Sequence, residues 1–338
     1  MGGMEAHTHA LASALIERGH EVSLFAAPGS DPRLGVHELP VAQFSSSTAA
    51  RSDVGSPPEE WMQDHHAYLD LMLGLSRRDH GRFDVVHNNS LHHLPIAMSR
   101  VLEAPVVTSL HTPPVAWLES ASAYAAAGSR FVAVSRHVAR AWRHVVRADV
   151  VHNGVNTGFW AFGPGGSRAV WSGRIVPEKA PHEALQAAAL AGMPIDVAGP
   201  VHDRAYFESE VLPLLGEGAR YVGHLDADAL RELVRSSAVA VVTPRWDEPF
   251  GLVAAEALSC GTPVAAYDAG ALAEIVDEHT GRLVASGDVE GLATAMVCAA
   301  GLDRSAARRR AEEQFGHDRM VDDYVRTYRE MATLRRVG

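Results

Sequence analysis

"RWDEPFGLVAAEALSCGTPV", residues 245–264, lies between the β-branched runs "AVAVVTP" (238–244) and "TPVAAY" (262–267), so it reads as the crossover of a strand–helix–strand unit. It puts Glu248 just ahead of Pro249-Phe250-Gly251, and a second carboxylate, Glu256, inside an apolar, Ala-rich helix. Charged groups are seldom buried in helices without a partner. Gly251 lets a ligand approach the backbone, and the free N–H groups of Gly251, Leu252 and Val253 open the helix. A helix start of this kind favours anions, phosphate in particular. Glu256, an acceptor-only carboxylate about a turn and a half further on, suits two hydrogen bonds from a diol. Acid, anion cradle and acid together read as a clamp for sugar, diphosphate and ribose. The plainer alternative makes Glu248 a solvated loop residue and pairs Glu256 with a surface Arg; the stretch alone leaves both open.

The same alternation extends outward along the chain. Strands are expected at 21–27, 83–88, 105–111, 130–135 and 149–154, and again at 168–173, 194–199, 219–223, 238–244 and 262–267. Helical patterns at 4–18, 59–77, 91–103, 115–127 and 136–147 separate the first set, and further helices the second. Near-continuous apolar strands joined by helices indicate parallel sheets covered on both faces. The fold class expected is α/β, with two Rossmann-like, doubly wound domains facing a cleft. "FGPGGS" (162–167) crowds Gly and Pro where the rhythm pauses, giving a first domain at 1–162, a linker at 163–167 and a second domain at 168–315. Residues 316–338 form a C-terminal helix expected to pack back on the first domain, and 41–58 read as a long mobile loop. Doubly wound sheets bind ligands beyond the carboxyl ends of their strands, which is where "SLHTPP", "WSGR" and "TPRWDEPFG" fall.

Composition narrows the classes. A chain of 338 residues suits two domains, and 47% hydrophobic with 21% charged residues is an ordinary globular mix. A formal net charge of −11 argues against a nucleic-acid partner. Cys260 and Cys298 are the only cysteines, too few for a disulfide framework or a Cys-based zinc site. No apolar run reaches the ~18 residues of a membrane span and residues 1–20 do not read as a signal peptide, so a cytoplasmic setting without membrane association is expected.

A second segment, "WSGRIVPEKAPHEAL" (171–185), decides between the two readings of the first. Arg174 stands at a strand end after Gly173, and Lys179 just before a helix. A planar fork and a compact ammonium suit the oxygens of a diphosphate. "GRIVPEKA" together with "EPFGLVAAEALSCGTPVAAYDAGALAEIV" resembles the retaining glycosyltransferases of family 4, of the GT-B fold, whose hallmark is two Glu separated by seven residues, here Glu248 and Glu256. "GGMEAHTHALASALIERGHEVSLF", the His of "SLHTPP", "AVSRHV" and "HNGVNTGFW" match as well, so the resemblance covers nearly the whole chain.

The resemblance implies a hexosyltransferase that moves a hexose from a nucleoside-diphosphate sugar, expected to be a UDP-sugar, to an acceptor hydroxyl on a small molecule or cell-surface precursor. It implies that the first domain binds the acceptor and the second the nucleotide sugar. Glu248 would hold donor-sugar hydroxyls, Glu256 the ribose, and Arg174 and Lys179 the diphosphate, with no metal or other cofactor. His111 would touch the donor sugar, and Gly2 and Gly3 would close on the phosphates. Gly173, Gly223, Phe250, Gly251, Leu252 and Val253 complete the expected donor site. A non-catalytic sugar-nucleotide-binding protein is the alternative.

Three departures stand out. The family's β-strand ahead of "GGMEAH" is absent, so either the start is truncated or misassigned, or the first sheet lacks a central strand and exposes apolar surface. The usual Lys-Gly is Lys179-Ala180, a small change provided φ there is negative; the usual Gly-Gly is Gly270-Ala271, which would tighten the donor loop. Other patterns carry plainer readings. "DAD" (226–228) mimics an acidic metal triplet, but Asp226 reads as a helix N-cap. The pairs at 65–66 and 92–93 lack the His spacing of zinc hydrolases, so no metal site is expected. Arg136, Arg140, Arg143 and Arg147 line one helix side and read as a solvated face rather than a site for anionic lipid.

Overall fold

The computed structural model describes residues 3–39 and 41–337, and the chain divides into two compact units. One comprises residues up to Ala133, then Ala139–Val151 and the chain from Val321 onward; the other comprises Val134–Val138 and His152–Met320. Elements in chain order are α1 (Gly3–Glu17), β1 (Leu24–Ala26), β2 (Val36–Glu38), α2 (Thr48–Arg51), α3 (Glu59–Arg77), β3 (Val86–Asn88), α4 (Leu94–Ala97), β4 (Val106–Leu110), α5 (Ala116–Ser122), β5 (Arg130–Ala133), α6 (Arg136–Trp142) and β6 (Ala148–Val150). There follow β7 (Ala169–Ser172), α7 (Pro181–Ala191), β8 (Ile195–Ala198), α8 (Arg204–Tyr206), β9 (Ala219–Gly223), α9 (Ala227–Arg235), β10 (Val239–Val242), α10 (Leu252–Ser259), β11 (Val264–Tyr267), α11 (Leu272–Ile275), β12 (Gly281–Val284), α12 (Val289–Ala300), α13 (Arg304–Phe315) and α14 (His317–Val337).

The second unit holds a six-stranded, all-parallel sheet in the order β12-β11-β10-β7-β8-β9. Its interior is built on Trp171, Ile195, Val241, Tyr267 and Met296, and α7 and α12 contribute small Ala faces that let helix and sheet approach closely. Charge enters this core only with partners. Asp196, 3% exposed on β8, takes paired hydrogen bonds of 2.8–3.0 Å from Arg168, which directly precedes β7, and from Arg220 on β9. Pro181 opens α7 and Gly192 in the left-handed conformation (φ 62°) closes it. Asp226 accepts from the Ala229 N–H at 2.8 Å and caps α9, as its sequence setting indicates.

Residues 163–167, taken from sequence as a linker, pack tightly on the second unit. Gly163 N–H donates to the Cys260 carbonyl and Gly165 N–H to the Arg235 carbonyl, both at 3.1 Å. A Cβ on Gly166 would meet the Ser236 carbonyl oxygen at 2.2 Å. These glycines permit close backbone approach, and the division between the units falls upstream, at Val151/His152.

In the first unit the parallel strands separate into β1-β2 and β3-β4-β5-β6. Val86 N–H donates to Pro105 and Leu24 N–H to Gly35, so by alternation the backbone groups of His87 and Phe25 turn away from their partner strands. Both residues line a cavity of about 430 Å³ with Leu24, Leu71, Met72 and Val86. Among the described residues no strand bridges β1 and β3. From Val321 onward α14 belongs to the first unit, where the Tyr324 hydroxyl meets Ser109 Oγ at 2.9 Å and the Tyr328 hydroxyl meets His87 Nδ1 at 2.6 Å. Arg136, Arg140, Arg143 and Arg147 are exposed, whereas Val138 and Trp142 are fully buried. Among the described residues no helix is long and apolar enough to cross a membrane.

Two strands escaped the sequence reading: β2, "VHE", and β12, "GRLV". Both are short edge strands with polar residues, and so lack the apolar run that marks central parallel strands. The helix expected at 91–103 is broken into α4 and a 3-10 turn at Ser99–Val101, and the loop 41–58 contains one short helix capped by Ser47. Hydrogen–deuterium exchange tests the split sheet: the amides of Phe25 and His87 are expected to exchange at least about a hundredfold faster than that of Val132 in β5. Equal protection would show that these edges are paired.

Candidate active site

Strand order in the second unit reverses between β7 and β10, and ligands of doubly wound sheets bind beyond the carboxyl ends of the strands at such a reversal. The loops leaving these two strands carry Arg174 and Lys179 on one side and Glu248 on the other. Lys179 Nζ lies 2.5 Å from Glu248 Oε2, both side chains being largely enclosed, and 5.2 Å from the centroid of the Trp246 ring. Arg174 is exposed and has no hydrogen bond or ion pair among the described residues, which leaves its fork available to an anion.

Buried polar contacts fix these loops. The Thr243 hydroxyl, 1% exposed, lies 2.9 Å from the Lys179 carbonyl and 3.0 Å from that of Ala180, and accepts from Trp171 Nε1 at 3.0 Å. Arg245 N–H donates to the Glu178 carbonyl at 2.8 Å, while the Arg245 guanidinium pairs with Glu183, which is 3% exposed. The turn bearing Lys179 is therefore stitched to the strand that delivers Glu248. Thr243, Arg245 and Glu183 were not singled out from sequence, because their value lies in long-range pairing that no local pattern shows.

Two departures noted in the sequence now have geometry. Ala180 has φ 43°, so the condition that made Lys179-Ala180 a small change is not met. A non-glycine residue in the left-handed region costs about 1–2 kcal/mol, held here by the Thr243 contacts. Gly270 has φ 64°, and a Cβ there would meet the backbone N and O of Glu248 at 2.3 Å. Ala271, at φ −90°, fits without strain and its N–H donates to the Glu248 carbonyl at 2.8 Å. The 270–271 turn thus presses directly against the Glu248 backbone.

Gly251, at φ 99°, begins α10, and no side chain caps that helix. Its first N–H groups have no intrahelical acceptor, which makes this end an anion site in waiting. A Cβ on Gly251 would meet Leu272 Cδ2 at 2.7 Å. Glu256 sits one helical turn deeper with no side-chain partner among the described residues, and burial pushes its pKa up to about 8. Phe250 is 3% exposed and its ring packs about 6 Å from Phe315 and His152, so its side chain anchors the loop within the unit. At Gly223 (φ 85°) nothing lies within 4 Å of a notional Cβ, leaving open space beside the backbone. Glu274 braces the same unit, accepting from the N–H groups of Arg136 and His137 at 2.9 and 2.7 Å and facing His152 Nε2 at 2.9 Å.

His111 belongs to the first unit, where it follows β4, is 9% exposed and lies 3.1 Å from Asn89 Oδ1. Burial lowers its pKa to about 4, so the ring is neutral at pH 7. Gly3 begins α1. Gly2 lies outside the described residues.

Comparisons with known proteins identify the family and the fold. The family described as "Glycosyltransferase Family 4" matches residues 1–159, and "Glycosyl transferases group 1" matches residues 162–310. A D-inositol 3-phosphate glycosyltransferase of Geodermatophilus obscurus is 30% identical, over 97% of this chain and 84% of that protein. A glycogen synthase of Mycobacterium tuberculosis is 27% identical, over 96% and 88%. Among solved structures, HepE of Anabaena in complex with UDP and glucose matches at TM-score 0.74 with 19% identity, over 96% of this chain and 95% of that one. A glycosyltransferase from Rickettsia africae matches at TM-score 0.77 with 17% identity, over 98% and 95%. The fold is the GT-B architecture, two Rossmann-like units carrying parallel sheets. The chain belongs to glycosyltransferase family 4, and is a hexosyltransferase.

The site makes a stability prediction with a defined sign. The folded-state pKa of Glu256 lies above its ordinary value of 4.5, so the unfolded chain gives up this proton first as pH rises. Stability is therefore lost between about pH 4.5 and pH 8. Glu256→Gln is expected to flatten that decline in urea midpoints measured at pH 5 and pH 8; a parent that shows no decline attributable to this residue refutes the assignment. Separately, Ala180→Val is expected to lower stability by more than about 1 kcal/mol, because β-branched residues avoid the left-handed region.

Proposed function

We propose that this protein is a retaining glycosyltransferase that transfers a hexose from a nucleoside-diphosphate sugar to an acceptor hydroxyl. The observation that carries the proposal is the meeting of Lys179 and Glu248, with Arg174 unpaired, at the strand-order reversal beside the uncapped start of α10. The expected donor is a UDP-sugar, a reading supported by the UDP complex of the similarly folded Anabaena protein. The acceptor class is a small molecule or cell-surface precursor, and the free thiols Cys260 and Cys298 suit a cytoplasmic setting.

Loss of the nucleoside diphosphate leaves an oxocarbenium-like sugar and a polyanionic leaving group. Arg174, Lys179 and the amides of Gly251, Leu252 and Val253 neutralise that leaving group, the role a divalent ion would otherwise take. Glu248 turns from Lys179 to the sugar hydroxyls as Lys179 engages phosphate. Glu256 accepts from the ribose diol, and we assign His111 to contact with the donor sugar. Front-face attack by the acceptor hydroxyl retains the anomeric configuration and needs no protein nucleophile.

Transfer and donor hydrolysis with UDP-, GDP- and ADP-glucose test the reading. Lys179→Ala and Glu248→Gln are each expected to lower kcat/KM by about 10²-fold or more. If both turn over like the parent, the assignment is wrong. Thermal stabilisation without turnover of any donor would favour the non-catalytic alternative, since a ligand at 100 times its Kd adds about 2.7 kcal/mol. Nucleotide binding near pH 7 is also expected to release a proton from Glu256, visible as a buffer-dependent calorimetric heat that Glu256→Gln abolishes.

A further inference from the structure

Away from the donor site, the first unit brings together three histidines from two segments. His65 lies on α3, and His92 and His93 sit in the loop that leads into α4. One ring nitrogen from each lies within 4.8 Å of the others. The rings are close: His92 to His93 at 4.5 Å between centroids, His65 to His93 at 5.2 Å and His65 to His92 at 5.5 Å. The indoles of Trp61 and Trp117 and the ring of Tyr68 stack around them.

This packing leaves polar atoms unsatisfied. His65 Nδ1 and His92 Nε2 are buried with no hydrogen-bond partner among the described residues. A buried polar group without a partner costs free energy, and imidazole is the commonest protein ligand for zinc and its neighbours.

We propose that His65, His92 and His93 bind a borderline divalent cation, zinc foremost, which fastens α3 to the loop ahead of α4. Three imidazoles leave a fourth position on a tetrahedral ion for water. Closing the ligands from 4.8 Å to the roughly 3.4 Å that Zn–N bonds of about 2.05 Å require takes ring rotations out of the stacked arrangement. The Leu94 N–H donates to His92 Nδ1 at 3.2 Å, so the neutral ring carries its proton on Nε2. Coordination through Nε2 moves that proton to Nδ1 and gives up the Leu94 bond, a cost the metal bond must exceed. The pairs 65–66 and 92–93 lack a zinc-hydrolase spacing in sequence; the cluster exists only because α3 packs beside the loop.

The test uses the full chain without a polyhistidine tag, stripped by a chelator and titrated calorimetrically with ZnCl₂, then with CoCl₂ while the visible spectrum is recorded. One equivalent of Zn(II) and the intense ligand-field bands of four-coordinate Co(II) are expected. His65→Asn, His92→Asn and His93→Asn should each weaken binding by at least about tenfold. His279→Asn, whose side chain is 76% exposed in the second unit, should not. Absence of stoichiometric binding overturns the proposal, as does binding that survives the three substitutions. Should an Asn variant unfold by circular dichroism, the histidine-ring NMR resonances of the parent decide: zinc-induced shifts confined to three rings support the site, and shifts spread over others overturn it.

Discussion

The Thr243 hydroxyl is the smallest part of the second unit on which the rest depends. Set at the end of β10 and buried, it bonds to the turn that carries Lys179 and receives the indole N–H of Trp171 from β7. Parallel strands can be neighbours only through long crossovers, so the loops leaving β7 and β10 are far apart in sequence. Without a tie between them, a cation on one and a carboxylate on the other would meet only by chance. The Thr243 bonds and the Arg245–Glu183 pair supply that tie, and the left-handed Ala180 is tolerated because these contacts hold it.

Burial then sets the ionisation of the groups that matter. Glu256, half-buried without a counter-charge, has its pKa raised to about 8 by desolvation, whereas His111 is buried and its pKa is lowered to about 4. One desolvation effect moves an acid up and a base down, leaving both uncharged at pH 7. Asp196 shows the opposite outcome: two guanidiniums beside it keep its pKa below the ordinary value despite burial. At Asp196 charge survives enclosure because two Arg side chains meet it.

The alternation of apolar runs with Ala-rich helices was enough to read the second unit, because buried parallel strands have few alternatives. Arg174, Lys179 and Glu248 drew notice at strand ends or ahead of a helix, and Glu256 as a carboxylate inside an apolar helix. The edge strands β2 and β12 were not, having no continuous apolar signal. Ala180 was read as a mild change because sequence carries no φ; its left-handed backbone follows from a Thr distant in the chain. The resemblance put Phe250 in the donor site, and the structure adds that its ring packs on Phe315 and His152, a long-range contact with no local signal. Glu183 and Glu274 gave no signal, since an isolated Glu near a helix start is commonplace until its partners are known.

The divided sheet of the first unit has a consequence for how this protein behaves in a crowd. Its two inner rims present amides and carbonyls along β1 and β3 with apolar side chains between them. Such rims are templates for any extended polypeptide that happens by, including a neighbouring copy still emerging from synthesis. Pairing with one more extended segment would close the interval between β1 and β3 and withdraw both sets of backbone groups from water.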